Sequence, residues 1–401
     1  MAPPRPTAKI KGKTPPQMFE SVGAFERAHR PQAATPSGGA ANFFVVPRFH
    51  ACIQTTPSAV DFYFDVLHPR QSWRTLAIRT VFKAAISNRV VRSGLVRAGL
   101  LHSVYAAPPV SNVRWADFEV LLGEWQFSGA FCDRLGTVSH VLTHDRNADR
   151  LRNEVDARRE LAGVVSLPRL HAASLDGDAR GWIEDVVYES PPADDRPLDW
   201  AQRAMLRAYD ATRETARVGE YLDRLQAETD ERYAAAPPEV KRSVDALLDL
   251  ARRSADEAGV RELALARCHG DLNWMQMVGP LDAPVLIDWS ESEVCSVFHD
   301  LVYSSIRYGR WRNYPAKDYP DMYAVLRDAL RDEMAGVPGI FASALVLAEV
   351  GVKQHVDHVR ELGSWGAWRN HVRELFDSIG EPERLDVPGG ARVETSLRRA
   401  V

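Results

Sequence analysis

Apolar positions recur with a helical period over one long stretch. Val240, Val244, Leu247, Leu248 and Ala251 fall at i, i+4, i+7, i+8 and i+11, which places them on one face of an α-helix. Helices are also expected after Pro197 and around 319–334, 341–355 and 366–379, so the C-terminal half reads as helical. Upstream the pattern changes. Between Phe118 and Asp145 the runs FEVLLGEW, GAFCDRLGT and VSHVLTHD are short, apolar and punctuated by glycine, which predicts strands. A helix follows, with Asn147 or Asp149 as its cap and Leu151, Val155 and Leu161 on its inner face, and WIEDVVYES is a further strand. Residues 118–190 therefore predict a small sheet with one helix.

Before that sheet, FFVVP and VDFYFDVL within 42–64 read as short strands, and 72–91 as a long helix. The Pro-, Gly- and Ala-rich residues 1–40 offer little to bury and predict a disordered tail; residues 386–401 predict a second loose tail. The expected division is a tail over 1–40, an N-terminal extension over 41–117, a β-rich part over 118–190, a helical part over 191–385 and the terminal tail. A chain of 401 residues has room for about two or three domains.

Charge changes the picture in one place. Fifty Lys and Arg against 54 Asp and Glu give a net charge of −4, which argues against a protein built mainly to hold nucleic acid. From Val66 to Ala116, however, no acid occurs, while Arg70, Arg74, Arg79, Lys83, Arg89, Arg92, Arg97 and Arg114 all do. A solvated face paired with acids elsewhere is the favoured reading. A patch for anionic lipid, giving peripheral membrane contact, is the sharper one.

The four cysteines, Cys52, Cys132, Cys268 and Cys295, form no CxxC pair and read as reduced thiols. Residues 1–40 hold no apolar core of signal-peptide length. The apolar stretch 339–352 is interrupted by Glu349 and is too short to span a bilayer. A cytoplasmic protein with no integral membrane segment is expected.

The chemistry gathers at Cys-His-Gly-Asp-Leu-Asn-Trp-Met-Gln, from Cys268 to Gln276, followed by Val-Leu-Ile-Asp-Trp with Asp288 near its end. Gly279-Pro280 between them is a turn. Phosphoryl transfer needs a carboxylate to orient an attacking hydroxyl and oxygen ligands to hold Mg²⁺ against nucleotide phosphates. Asp271 suits the first task, and the Gln276 amide oxygen and Asp288 carboxylate suit the second. His269 suits bracing of the loop. A metal site made of Cys268, His269, Cys295 and His299 explains His269 less well.

His269-Gly270-Asp271 with Gln276, then Leu286-Ile287-Asp288-Trp289, then His299-Asp300-Leu301, resembles the aminoglycoside phosphotransferase and choline kinase-like group, small-molecule relatives of the protein kinases. The resemblance implies an α+β, bilobal protein-kinase-like fold with a small β-rich N-lobe, a large helical C-lobe and an extra N-terminal segment. It implies an ATP- and Mg²⁺-dependent phosphotransferase acting on a hydroxyl of a small molecule: a sugar, an amino-alcohol, an aminoglycoside-like compound or a lipid-linked glycan. Asp271 and His269 are then the catalytic pair, and Gln276 and Asp288 the metal ligands. Glu154 is the ion-pairing acid of the N-lobe helix, Glu184 and Val186 belong to a hinge that grips adenine, and Asp300 buttresses the loop. No nucleic-acid partner is implied.

Two departures stand against the pattern. Gln276 occupies the place of an Asn, with Asn273 as a fallback ligand. No lysine occurs between Lys83 and Lys241, so the phosphate-clamping lysine of the resemblance is missing, and Thr143 falls in its place. The alternative is a pseudokinase, a kinase-shaped module that binds a nucleotide or metabolite without turnover.

Overall fold

A computed structural model describes residues 15–29, 41–46, 51–64, 73–97, 102–106, 118–123, 127–132, 135–177, 180–187, 197–234, 238–273, 276–279, 284–308, 324–334 and 337–353. The chain divides into two compact units, one over Met1–Arg158, Leu167–Pro191 and Val278–Val285, the other over Arg159–Ser166, Pro192–Met277 and Leu286–Val401.

The first unit is built on strands β1 (Ala41–Val46), β2 (Ala51–Gln54), β3 (His102–Ala106), β4 (Val120–Gly123), β5 (Phe127–Cys132), β6 (Thr137–Leu142), β7 (Leu170–Ser174) and β8 (Gly181–Asp185), with helices α1 (Pro15–His29), α2 (Pro57–Phe62), α3 (Trp73–Ser87), α4 (Arg89–Arg97) and α5 (Ala148–Glu160). The strands form one eight-stranded sheet in the order β3-β1-β2-β4-β5-β6-β8-β7. Among the described residues of 118–190, β4, β5, β6, α5 and β8 follow the order that their sequence predicts, and β7 is a strand that the sequence reading leaves out.

Three expectations for the N-terminal stretch are corrected. First, 15–29 is a helix. Its sequence begins Pro-Pro, which suits a first helical turn, and Met18, Val22 and Phe25 fall at i, i+4 and i+7 with 0–1% exposure. Those side chains enter a core with Phe43, Leu121, Val141 and Ile183. Composition hid a short apolar stripe inside a Pro- and Ala-rich segment.

Second, the sheet runs across the expected boundary at 117/118, because β2 pairs antiparallel with β4 in the register Cys52↔Leu121. Third, VDFYF is helical. The Thr56 hydroxyl accepts the Ala59 N–H and Pro57 opens the helix, and these start signals outweigh the strand propensity of the aromatics. The helix expected over 72–91 is two helices, and the Asn88 side chain caps the second through the Val90 N–H at 2.9 Å.

Antiparallel pairing fixes which residues share a face of this sheet. Val138 lies opposite Glu184 and His140 opposite Trp182, while Ser139 lies opposite Ile183. Helix α1 packs on the face of Ser139, Val141 and Ile183. Helix α5 packs on the other, with Leu151 and Val155 against Leu142 and Trp182.

The second unit carries α6 (Pro197–Thr212), β9 (Glu214–Arg217), α7 (Val218–Arg232), α8 (Pro238–Ala258), β10 (Glu262–Cys268), β13 (Glu293–Ser296), α9 (His299–Tyr308), α10 (Ala324–Ala329), α11 (Arg331–Met334) and α12 (Gly339–Lys353); β11 (Met277–Val278) and β12 (Val285–Leu286) flank the turn at Gly279. Val244, Leu247, Leu248 and Ala251 on α8 are buried, as their spacing predicts. A buried Glu349 on α12 accepts from Tyr221 Oη at 2.6 Å, Ser296 N at 2.8 Å and Ser296 Oγ at 3.0 Å, and faces His299 Nδ1 at 2.9 Å. Among the described residues no helix is long and apolar enough to cross a membrane. The expected helix at 366–379 and the tail at 386–401 lie outside the described residues.

Candidate active site

The loop after β10 is built from backbone bonds to buried side chains. Asp300, at the start of α9 and fully buried, accepts the Gly270 N–H on Oδ1 at 2.8 Å and the His269 N–H on Oδ2 at 2.9 Å. Tyr209 Oη donates to the same Oδ2 at 2.8 Å; burial first, then the Asp300 charge, holds that phenol well above its ordinary pKa. Asp300 thus buttresses the loop, as the resemblance implies. Ser292 Oγ closes the other side by donating to the Cys268 carbonyl at 2.7 Å.

Gly270 has no substitute here. Its φ is +80°, and a Cβ would stand 2.2 Å from the Glu291 carbonyl oxygen. Both the left-handed backbone and the close approach require glycine.

His269 is wholly buried and spends both ring nitrogens on the backbone. Nε2 lies 3.0 Å from the Ile287 carbonyl and Nδ1 lies 3.4 Å from the Asp271 N–H. A carbonyl can only accept and an amide can only donate, so Nε2 carries the proton and the ring is neutral. Its role is to position Asp271 and tie the loop to the segment that ends in Asp288. Asn273 donates from Nδ2 to the Asp271 carbonyl at 2.9 Å, which shapes the bend and leaves the fallback ligand role unused.

The three oxygen-bearing side chains meet. Gln276 Nε2 stands 3.0 Å from Asp288 Oδ2 and 3.4 Å from Asp271 Oδ2. The main chain sets this up, since the Ile287 N–H donates to the Gln276 carbonyl at 2.9 Å. Asp288 sits at φ 63°, the sole non-glycine residue with positive φ among those described; such backbone strain concentrates at functional sites. Ser290 Oγ steadies its other oxygen at 2.8 Å. Two carboxylates around one amide form an all-oxygen donor set once the amide turns over about its last bond, which fits a hard divalent cation. Gln276 in place of Asn therefore still reaches both acids.

In the first unit, Glu154 and Glu184 meet a cation that the sequence reading left out. Arg158 Nε and Nη2 each lie 2.6 Å from Glu154 Oε1, and Nη1 lies 2.7 Å from Glu184 Oε2. His140 Nε2 reaches Glu184 Oε1 at 3.0 Å, and its ring stacks on Trp182 with centroids 4.3 Å apart. Burial pushes the Glu184 carboxyl up, but Arg158 and His140 outweigh it and leave it below its ordinary value. The i, i+4 spacing of Glu154 and Arg158 was visible in the sequence.

One expectation for this unit is corrected. Thr143 follows the last residue of β6 in the parity of Val141, the α1 face, so the β6 residue that meets the acids is His140. The hinge residues are engaged within the sheet: Glu184 pairs with both β6 and β7, and the Val186 N–H donates to the Gly136 carbonyl at 2.8 Å. The Val186 N–H is therefore already taken.

No protein-family model matches the chain, and no curated protein matches it. Solved structures do. A choline/ethanolamine kinase family protein from Mesorhizobium loti matches at 16% identity over 70% of this chain and 92% of its own, with a TM-score of 0.39. A thermostable mutant of aminoglycoside phosphotransferase APH(4)-Ia matches at 17% over 64% and 94%, with a TM-score of 0.42. A choline kinase from Streptococcus pneumoniae matches at 14% over 65% and 93%, with a TM-score of 0.39. These are the groups that the loop motif resembles. The chemistry rests on the residues themselves.

Proposed function

We propose that this protein is an ATP- and Mg²⁺-dependent phosphotransferase that moves the terminal phosphoryl group to a hydroxyl of a small molecule. The observation that carries the reading is the Gln276 amide held between Asp271 and Asp288, with Asp288 in the left-handed backbone region. A merely structural loop has no use for two carboxylates at one point and a strained residue beneath one of them.

Asp271 orients the acceptor hydroxyl and takes its proton. Asp288 and Gln276 are the residues to hold the divalent cation, which when bound neutralises phosphate charge. His269 and Asp300 keep Asp271 in place through the backbone. The acceptor class spans sugars, amino-alcohols, aminoglycoside-like compounds and lipid-linked glycans. Four free, buried cysteines are compatible with a reducing, cytoplasmic setting.

The test is Asp271→Asn. Turnover with ATP should fall by about 10²–10⁴-fold, with the unfolding midpoint and nucleotide affinity unchanged. An unimpaired variant would remove Asp271 from the base's role.

A second reading, a nucleotide-binding pseudokinase, draws on Arg158, which engages both Glu154 and Glu184 where the resemblance wants a lysine that also reaches phosphate. Thermal unfolding with ATP, GTP and ADP, each with and without Mg²⁺, precedes acceptor screening. Mg²⁺-dependent stabilisation without turnover on any acceptor favours this second reading.

A further inference from the structure

Asp288 is exposed to solvent, yet Trp289 and Ser290, which follow it, are only 0% and 2% exposed. An exposed acid ordinarily turns freely and offers either oxygen to a partner. Here the buried residues beyond it remove that freedom. The Trp289 indole N–H donates to the Leu286 carbonyl at 3.3 Å, and the indole lies 4.7 Å from the His269 ring. The Ser292 N–H donates to the Trp289 carbonyl at 2.9 Å. The turn that carries Asp288 at φ 63° is thus anchored beneath that residue. From within the turn the Ser290 hydroxyl donates to Asp288 Oδ1 at 2.8 Å, while Oδ2 faces the Gln276 amide at 3.0 Å. The two oxygens of one carboxylate have different partners.

That division limits what the site offers a cation. With Oδ1 held by a buried hydroxyl, Asp288 presents Oδ2 beside Gln276, and Asp271 presents its own Oδ2, 3.4 Å from the same amide. Among the described residues no third carboxylate, imidazole or thiol joins these two acids. Ca²⁺ takes about six to eight oxygens and readily uses both oxygens of one carboxylate, whereas Mg²⁺ keeps several waters and needs only one or two carboxylates. A sparse set of single oxygens suits the smaller ion.

We propose that Ser290 is a positioning residue that holds Asp288 to a single metal-facing oxygen and so sets the preference of the site for Mg²⁺ over Ca²⁺. The inference rests on the phosphotransferase reading above and names the side chain that chooses its cation. Without the hydroxyl, the Asp288 carboxylate turns about its last bond. Its aim at a small ion is then lost, and both of its oxygens become available to a larger one.

The experiment uses the full chain and the metal alone. Mn²⁺ bound to the protein is followed by its electron paramagnetic resonance signal and displaced with Mg²⁺ or with Ca²⁺. Ser290→Ala should weaken Mg²⁺ by about tenfold and leave Ca²⁺ level or tighter, so the ratio of the two dissociation constants shifts by about tenfold. Ser290→Gly removes the same hydroxyl and adds no atom, and should shift the ratio with it. Unfolding midpoints of the metal-free variants record any loss of fold; a merely structural serine would lower the midpoint and leave the ratio unmoved. A ratio unchanged in either variant overturns the role of Ser290 and leaves Asp271 and Asp288 as assigned. Mn²⁺ that fails to bind the wild type, or that binds Asp288→Asn as tightly, removes the metal reading and the role of Ser290 together.

Discussion

The Gln276 side-chain amide donates to Asp288 Oδ2 over 3.0 Å, and the same nitrogen lies 3.4 Å from Asp271 Oδ2. Two like charges thus approach one small dipole, an arrangement that gains from a cation and loses when the pair is left alone.

Mg²⁺ with ADP should raise the unfolding midpoint of the wild type, by about 2.7 kcal/mol of stabilisation at 100 times the dissociation constant. Asp288→Asn should abolish that shift. Its apo midpoint should stay level or rise, because one of two neighbouring charges is gone and Asn tolerates the left-handed backbone. Differential scanning fluorimetry with and without Mg²⁺ reads both effects. A Mg²⁺ shift that survives the substitution would move the metal away from Asp288.

Asp300 makes a different prediction. It is fully buried and accepts from Gly270 N, His269 N and Tyr209 Oη. Asp300→Ala leaves three donors without an acceptor, at about 1–3 kcal/mol apiece, and should lower the midpoint steeply. Asp300→Asn keeps one accepting oxygen and should cost roughly half as much, while still displacing Asp271 and cutting kcat. Urea unfolding of the pair of variants checks the ranking; equal stability in both would show that the carboxylate is not what holds the loop.

The candidate site was more legible than the fold around it. Asp271, Gln276 and Asp288 were readable because a loop that needs specific side chains at fixed spacing leaves a local trace, and their meeting follows from short backbone links. The buried stripe of α8 was legible for the same reason, as a local period. What the sequence hid was pairing. Nothing in residues 41–54 announces that Cys52 will lie opposite Leu121, so the extension looked separable from the sheet it belongs to. Arg158 was hidden in a run of charges that reads as a solvated face until Glu184, from a distant strand, closes on it. The lysine position was misplaced onto Thr143 because alignment by composition ignores strand parity, and a slip of one residue turns every side chain to the other face.

The His299–Glu349 pair carries a pH dependence. Burial alone would push the His299 ring down, but Cys295 and the Glu349 carboxylate outweigh it and hold the imidazole protonated well above its ordinary value of 6.5. A folded-state pKa raised above the unfolded one contributes stability that is fully present below about pH 6.5 and is lost as pH rises through the raised value. Stability measured by urea unfolding should therefore decline from pH 6.5 into the alkaline range. His299→Gln should flatten that decline and cost about 3 kcal/mol at pH 6, because it leaves the Glu349 charge buried with only Tyr221 and Ser296 as donors. The double variant with Glu349→Gln should recover part of the loss. A single variant that keeps the wild-type pH slope would place the titration elsewhere.

The N-terminal helix gives the last test, because a tail and a core element respond oppositely to truncation. Phe25 is fully buried on α1, in the cluster that holds Phe43, Leu121 and Ile183. Glu26 beside it accepts from Ser139 Oγ of β6, so the helix is pinned by a polar contact as well as an apolar face. In a disordered tail Phe25→Ala would change nothing. In this core it removes a large side chain that the surrounding strands cannot follow inward, and should cost about 3–5 kcal/mol. Glu26→Gln keeps an acceptor for Ser139 and should cost far less, which separates the packing of α1 from its charge. Circular dichroism melts of the two variants beside the wild type decide the matter: coincident melts for all three chains would return residues 15–29 to a tail.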